Sequence, residues 1–176
     1  MTTNCVNRTP QWKTTIIVSK SLKNHDTSRT LLAQEHRLRF SDAVASGSFV
    51  FPQSGIAFLI INPQEQPENL GEAGVYFDKI KEFVMVHRNS FLLLQAPFFG
   101  KKELDILSGI QFRFLGSNLR VLPVHNNTEV VKAMLTIARA TSKPHVDSMR
   151  DRMSQARAHI LESSPVWEML RDIKLG

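Results

Sequence analysis

Residues 55–62 read Gly-Ile-Ala-Phe-Leu-Ile-Ile-Asn, an apolar run with a glycine before it and Pro63 behind it. The run is rich in β-branched and aromatic side chains and too short between its breakers for a typical helix, so it predicts a central strand buried on both faces. Upstream, Thr14-Thr-Ile-Ile-Val-Ser19 has strand composition. Thr27 or Ser28 can cap a helix reaching about His36, with Leu31 and Leu32 as a narrow apolar stripe. Arg37-Leu-Arg-Phe40 alternates, and Ser48-Phe-Val-Phe51 follows the turn signal Ala45-Ser-Gly47, which predicts a β-hairpin.

Downstream of the central run, residues 62–74 have no apolar period and predict an exposed loop. Helical spacing returns over residues 75–87, through Val75, Phe77, Ile80, Phe83 and Val84. Phe91-Leu-Leu-Leu-Gln95 predicts a second buried strand, stopped by Pro97. Leu104, Leu107, Ile110 and Phe114 mark a helix closed by Gly116, and residues 119–125 a strand whose Pro123 places that point at a strand end or sheet edge. Asn127 and Thr128 cap a helix carrying Val130, Val131, Met134 and Leu135. Strand and helix alternating from residue 55 to 140 predict an α/β domain with a mostly parallel sheet.

Thr141-Ser-Lys-Pro144 breaks the rhythm, and only helical patterns follow, the second opening at Ser163-Ser164-Pro165. The expected organisation is a tail over residues 1–12, an α/β domain over 13–141 and a small helical unit over 142–176. Met149, Met153, Ile160, Val166, Trp167 and Leu170 give that last unit more apolar side chain than two short helices can hide, so it must pack on the domain or on another protein.

Charge adds a partner class. The 176 residues carry a net charge of +6, and the excess is clustered: residues 1–40 hold seven Lys and Arg against two acids, and residues 101–145 seven against three. Such clustering suits an anionic partner, with Lys101, Lys102, Lys143, Arg150, Arg152 and Arg157 as candidate DNA contacts. No stretch approaches the ~20 apolar residues of a membrane span, and residues 1–12 lack the apolar core of a signal peptide. The lone Cys5 leaves no disulfide framework and no cysteine-based zinc site, so an intracellular, reducing compartment is expected.

A search for chemistry returns little. The strand ends read Ser19-Lys20, Asn62, Gln95 and His125-Asn126, with no carboxylate where an open α/β sheet gathers its ligands. There is no phosphate-cradling glycine loop, the six histidines have no metal-ligand spacing, and Ser48, Ser90 and Ser108 lack a nucleophile-elbow context. His125 stands at a strand end and is the one candidate base of an alternative reading, a small α/β enzyme or nucleotide-binding domain. Phe98, Phe99, Phe112 and Phe114 beside Lys101 and Arg113 fit either base stacking or core packing.

The order of elements resembles the XPF/ERCC nuclease-like fold followed by a helix-hairpin-helix-like tail. Within it, Arg113-Phe-Leu-Gly-Ser-Asn-Leu-Arg-Val-Leu-Pro-Val-His-Asn126, Thr141-Ser-Lys-Pro144 and Ser164-Pro-Val-Trp167 look like the vertebrate sporulation-protein-sixteen homologues, also called synaptonemal complex reinforcing element. The resemblance covers about residues 13–175. It implies a ZMM-group protein of nuclear meiotic chromosomes that promotes crossovers and synapsis, paired as a heterodimer with the XPF-like shortage-in-chiasmata protein on branched or single-stranded DNA. Active members of the fold carry Gly-Asp in the hairpin and Glu-Arg-Lys at the end of the central strand, carboxylates that hold a divalent metal. Here those places read Gly47-Ser48 and Leu59-Ile60-Ile61. The resemblance therefore implies a non-catalytic, ERCC-like subunit with no cofactor and no metal. It also implies that the tail, which lacks paired glycine hairpins, meets the partner's helix-hairpin-helix unit through Met149, Met153, Ile160, Val166, Trp167 and Leu170.

Overall fold

The structure is a computed structural model that describes residues 11–63, 73–166 and 169–170. Its centre is a six-stranded sheet in the order β2-β1-β3-β4-β5-β6, formed by β1 (Thr15–Ser19), β2 (Arg37–Ser41), β3 (Ser48–Phe51), β4 (Ile56–Ile61), β5 (Ser90–Gln95) and β6 (Arg120–Val124). β1 pairs parallel with β2, and β4, β5 and β6 pair parallel with one another, while β3 runs antiparallel between β1 and β4. Five of the six strands therefore point the same way. The helices are α1 (Asp26–Ala33), α2 (Ala73–Val86), α3 (Lys101–Arg113), α4 (Asn127–Thr141) and α5 (Lys143–Glu162).

The apolar run becomes β4, buried along its whole length, because side chains that alternate across a strand feed two cores at once. Ile56, Phe58 and Ile60 join one cluster with Phe49, Phe51, Phe91 and Leu93, covered by Leu31 of α1 and by Val130, Val131 and Met134 of α4. Ala57, Leu59 and Ile61 join the other with Leu92 and Leu94, covered by Ile80 and Phe83 of α2 and Ile110 of α3. Trp12, the last residue of the expected tail, packs at the edge of the first cluster and meets the His36 ring edge-on at 5.9 Å.

Two expectations change in the structure. The hairpin does not join residues 37–40 to 48–51: β2 pairs only with β1, and the hairpin is β3-β4, closed over Pro52–Gly55 with the Gly55 N–H donating to the Phe51 carbonyl at 2.9 Å. Gly55 has φ +64°, a conformation a glycine adopts without steric cost, so the tight turn forms there. Leu104 is half exposed, and α3 turns Ile106, Leu107, Ile110 and Phe114 inward instead. The loop expected over residues 62–74 lies mostly outside the described residues, and α2 begins at Ala73.

Beyond α4 the chain turns at the buried Ser142 and runs into α5, which has Pro144 in its first turn. Twenty residues make a helix ~30 Å long. None of its residues is buried. The second helix expected after Ser163 is described only at residues 165–166 and 169–170. Among the described residues no helix is long and apolar enough to cross a membrane.

Candidate functional site

At the carboxyl ends of β1 and β4 the sheet changes direction: from β1 the next parallel strand lies on one side, and from β4 on the other. Crevices at such points are where open α/β sheets bind ligands. Here a cavity of about 250 Å³ opens. Ser21 and His25 enter it from the segment after β1, Ser46 and Gly47 from the link into β3, Ile61 and Asn62 from the end of β4, Tyr76 and Lys79 from α2, and Gln95 from the end of β5.

The walls are held by local bonds. The Gly47 N–H donates to Ser21 Oγ at 3.0 Å, and Ser21 Oγ lies 2.9 Å from Ser19 Oγ. The Gly47 carbonyl accepts from the Ile60 N–H at 3.0 Å, which ties the link before β3 to the end of β4. His25 caps α1, its Nδ1 accepting from the Thr27 N–H at 3.2 Å. Lys79 is half buried, and desolvation holds its ammonium below the ordinary lysine range. Lys20, next to the crevice in sequence, is already paired with Asp42.

Among the described residues no aspartate or glutamate lines this cavity. Ser48, at the position that the resemblance aligns with the metal-binding aspartate, is fully buried and donates its hydroxyl to the Ala45 carbonyl. Leu59, Ile60 and Ile61 are buried apolar residues of β4. Magnesium is held by carboxylates and water oxygens, and the described lining of hydroxyls, amides, one imidazole and one ammonium supplies no carboxylate. Among the described residues no group of His, Cys, Asp and Glu is arranged to hold a metal ion.

His125 stands elsewhere. It is exposed, its Nδ1 lies 3.1 Å from Glu129 Oε2, and its ring meets Phe99 edge-on at 5.4 Å. The His125 backbone N–H donates to the same carboxylate at 2.7 Å, and these bonds hold Glu129 below its ordinary carboxylate range. Both residues belong to the entry of α4, and neither lines the cavity.

The six candidate DNA contacts fall into two groups. Lys101 and Lys102 open α3 at the carboxyl end of the sheet. Lys143 opens α5 at the other end, where its N–H donates to the Gln53 carbonyl in the β3-β4 turn. Lys143, Arg150 and Arg157 recur every seven residues and share one face of α5, with a drift of about 20° per repeat. Arg152 lies about 200° around the helix from Arg150. All six are exposed. Met149, Met153 and Ile160 form a neighbouring stripe and are 43%, 67% and 67% exposed. Val166 and Leu170 are exposed as well, and Trp167 lies outside the described residues.

Phe98 and Phe112 are largely exposed, whereas Phe99 and Phe114 pack against the second cluster. The aromatic set thus divides between surface and core. Lys79 and Ser46 had no signal in the sequence beyond the acid-free strand ends, because nothing in a helix pattern says which residue reaches a crevice.

Comparisons with known proteins fit this geometry. The chain is similar to two solved structures of XPF from Aeropyrum pernix. One is a complex with DNA, with a TM-score of 0.60 and 11% identity over 74% of this chain and 66% of that chain. The other has a TM-score of 0.60 and 10% identity over 73% of this chain and 62% of that one. The chain thus spans somewhat less than two thirds of either. At such identities the likeness shows a shared fold. The human Protein SPO16 homolog is 46% identical over 166 residues, which cover 94% of this chain and 91% of that protein. The family described as Protein SPO16 homolog matches residues 10–173. With that match spanning both cores and α5, the chain belongs to the SPO16 homolog family.

Proposed function

We propose that this protein is the non-catalytic subunit of an XPF/ERCC-like heterodimer, binding branched or single-stranded recombination DNA and promoting meiotic crossover formation and synapsis. The observation that carries the reading is an XPF-like fold whose ligand crevice has no carboxylate among its described lining residues. An oxygen-ligated metal for phosphodiester hydrolysis would find no anionic anchor among those residues.

The partner is an XPF-like subunit, the shortage-in-chiasmata protein that the resemblance implies, and α5 is its docking element. A 20-residue helix with no buried residue leaves its methionine and isoleucine stripe in water, and adaptable apolar side chains of this kind suit a partner surface. Lys143, Arg150 and Arg157 border that stripe and give DNA a cationic edge beside it. The workplace is the meiotic chromosome in the nucleus.

Co-expression tests the reading. The two chains should co-purify in equal amounts and bind branched DNA more tightly than this chain alone. Independent elution of the two chains, with no gain in DNA binding, would overturn it.

A further inference from the structure

The crevice, with no carboxylate among its described lining residues, has a different chemistry of its own. Lys79 points to it: no ion pair engages this half-buried lysine among the described residues, and its Nζ is 3.6 Å from where a Cβ on Gly47 would stand. A partly desolvated cation without a counter-charge is costly, and an anion is what offsets that cost. Several of the other polar side chains that line it can donate hydrogen bonds. Ser46 and Gln95, the latter at the end of β5, both line it, one carrying a hydroxyl and the other a carboxamide. His25 accepts from the Thr27 N–H through Nδ1, which leaves Nε2 as the ring's donor.

We infer that this cavity is a binding site for a phosphate group, held by the Lys79 ammonium and by the neutral donors of Ser46, His25 and Gln95. Charge-assisted bonds from an ammonium in a partly dry crevice are the strong kind, and a phosphate oxygen accepts several at once. The volume, about 250 Å³, lies just below that of pockets for drug-sized ligands and has room for a phosphate with its waters. The position, at the switch point of the sheet, is the one where this fold class places ligands. An occupant anion would also draw the depressed Lys79 pKa back up.

The phosphate can come from a nucleic-acid end or from a free nucleotide, since both present the same oxygens. The site stands on the cavity alone. A complex that fails to bind DNA while this chain still binds phosphate would sink the subunit proposal and leave this one intact.

The test titrates inorganic phosphate into the full chain at constant ionic strength, following the melting temperature and the amide resonances of Ser46 and Gly47. Phosphate should raise Tm progressively and shift both resonances. Lys79→Arg should keep the effect, and Lys79→Met should weaken the apparent affinity about tenfold or more. If Lys79→Met does not fold, the resonances of the unaltered chain decide alone. Displacement of phosphate by a 5′-phosphorylated oligonucleotide, but not by its 5′-hydroxyl form, assigns the source to a nucleic-acid end. Displacement only by a nucleoside monophosphate assigns it to a nucleotide, and either result supports the site. Unmoved Ser46 and Gly47 resonances, an equal Tm rise in Lys79→Met, or the same resonance shifts with magnesium chloride alone would overturn it.

Discussion

The N–H of Lys143 donates to the carbonyl of Gln53 at 3.2 Å, so α5 leaves the domain beside the β3-β4 turn, at the end of the sheet away from the ligand crevice. This bond separates the two basic groups. Lys101 and Lys102 stand at one end of the sheet, and the α5 cations begin at the other.

One face of α5 should therefore dominate the salt response. In the complex, replacing Lys143, Arg150 and Arg157 together by Glu should reduce the slope of log K against log salt by roughly 0.9 per lost contact on duplex DNA. Arg152→Glu, on another side of the helix, should change it less. An equal response to both variants would make the seven-residue spacing irrelevant to DNA.

Branched DNA incubated with the complex and magnesium or manganese should stay intact. The described lining of the cavity offers a divalent metal no carboxylate, and Ser48 spends its hydroxyl on the Ala45 carbonyl. Strand cleavage that disappears on changing Ser48 or His125 would show that catalysis resides in this chain after all.

His36 makes stability depend on pH. It is buried, its Nδ1 accepts from the Thr14 N–H at 3.2 Å, and burial first, then Lys13, holds its pKa below the ordinary 6.5. Burial depresses His87 in the same direction. A histidine whose folded pKa is lowered binds more protons when unfolded, so its contribution is complete above about 6.5 and is lost as pH falls below that value. Protonation would also turn the Nδ1 acceptor into a donor facing another donor. Melting followed between pH 7.5 and 5 should show Tm falling, and His36→Asn should fall less steeply. A parallel decline in the variant would place the titration elsewhere.

Much of this fold was legible because burial writes itself into local pattern. The run at residues 56–61 is too short between its breakers for a typical helix and forms a strand covered on both faces, and α4 declared itself through Val130, Val131 and Met134, although its cap is Asn126 and not the expected Asn127 or Thr128. Pairing is different. Arg37-Leu-Arg-Phe40 shows by alternation that it is half exposed, as β2 is at the sheet edge, but not that its neighbour is β1, because the partner of a strand is fixed by tertiary packing. The same holds for the site. Strand ends without carboxylates were visible in the sequence, whereas Lys79 reaches the crevice only through the packing of α2 on β4 and β5.

Gly47 carries a structural demand of its own. With φ at +80° and a Cβ position 3.3 Å from the Ile60 carbonyl oxygen, Gly47→Ala adds a close backbone approach to the left-handed strain of about 1–2 kcal/mol. Gly55 has φ +64° but nothing within 4 Å, so Gly55→Ala should meet the strain alone. Urea unfolding should rank Gly47→Ala as the less stable of the two. The reverse order would mean that the link before β3 yields more easily than its bond to Ile60 implies.

The α5 stripe separates a partner surface from a piece of this chain's own core. Met153 and Ile160 are each 67% exposed, so changing both to Asp removes almost no buried contact. Surface changes of that kind stay within about 0.5 kcal/mol, and the melting of the chain alone should hardly move. In the heterodimer the same two carboxylates would be forced into an apolar interface without partners, where each unpaired charge costs several kcal/mol. Co-purification with the XPF-like subunit should be lost while the melting curve of the isolated chain is kept. Early melting with co-purification intact would instead put α5 against its own domain, and the partner would then have to be sought on another face, such as the exposed Phe98 and Phe112 around α3.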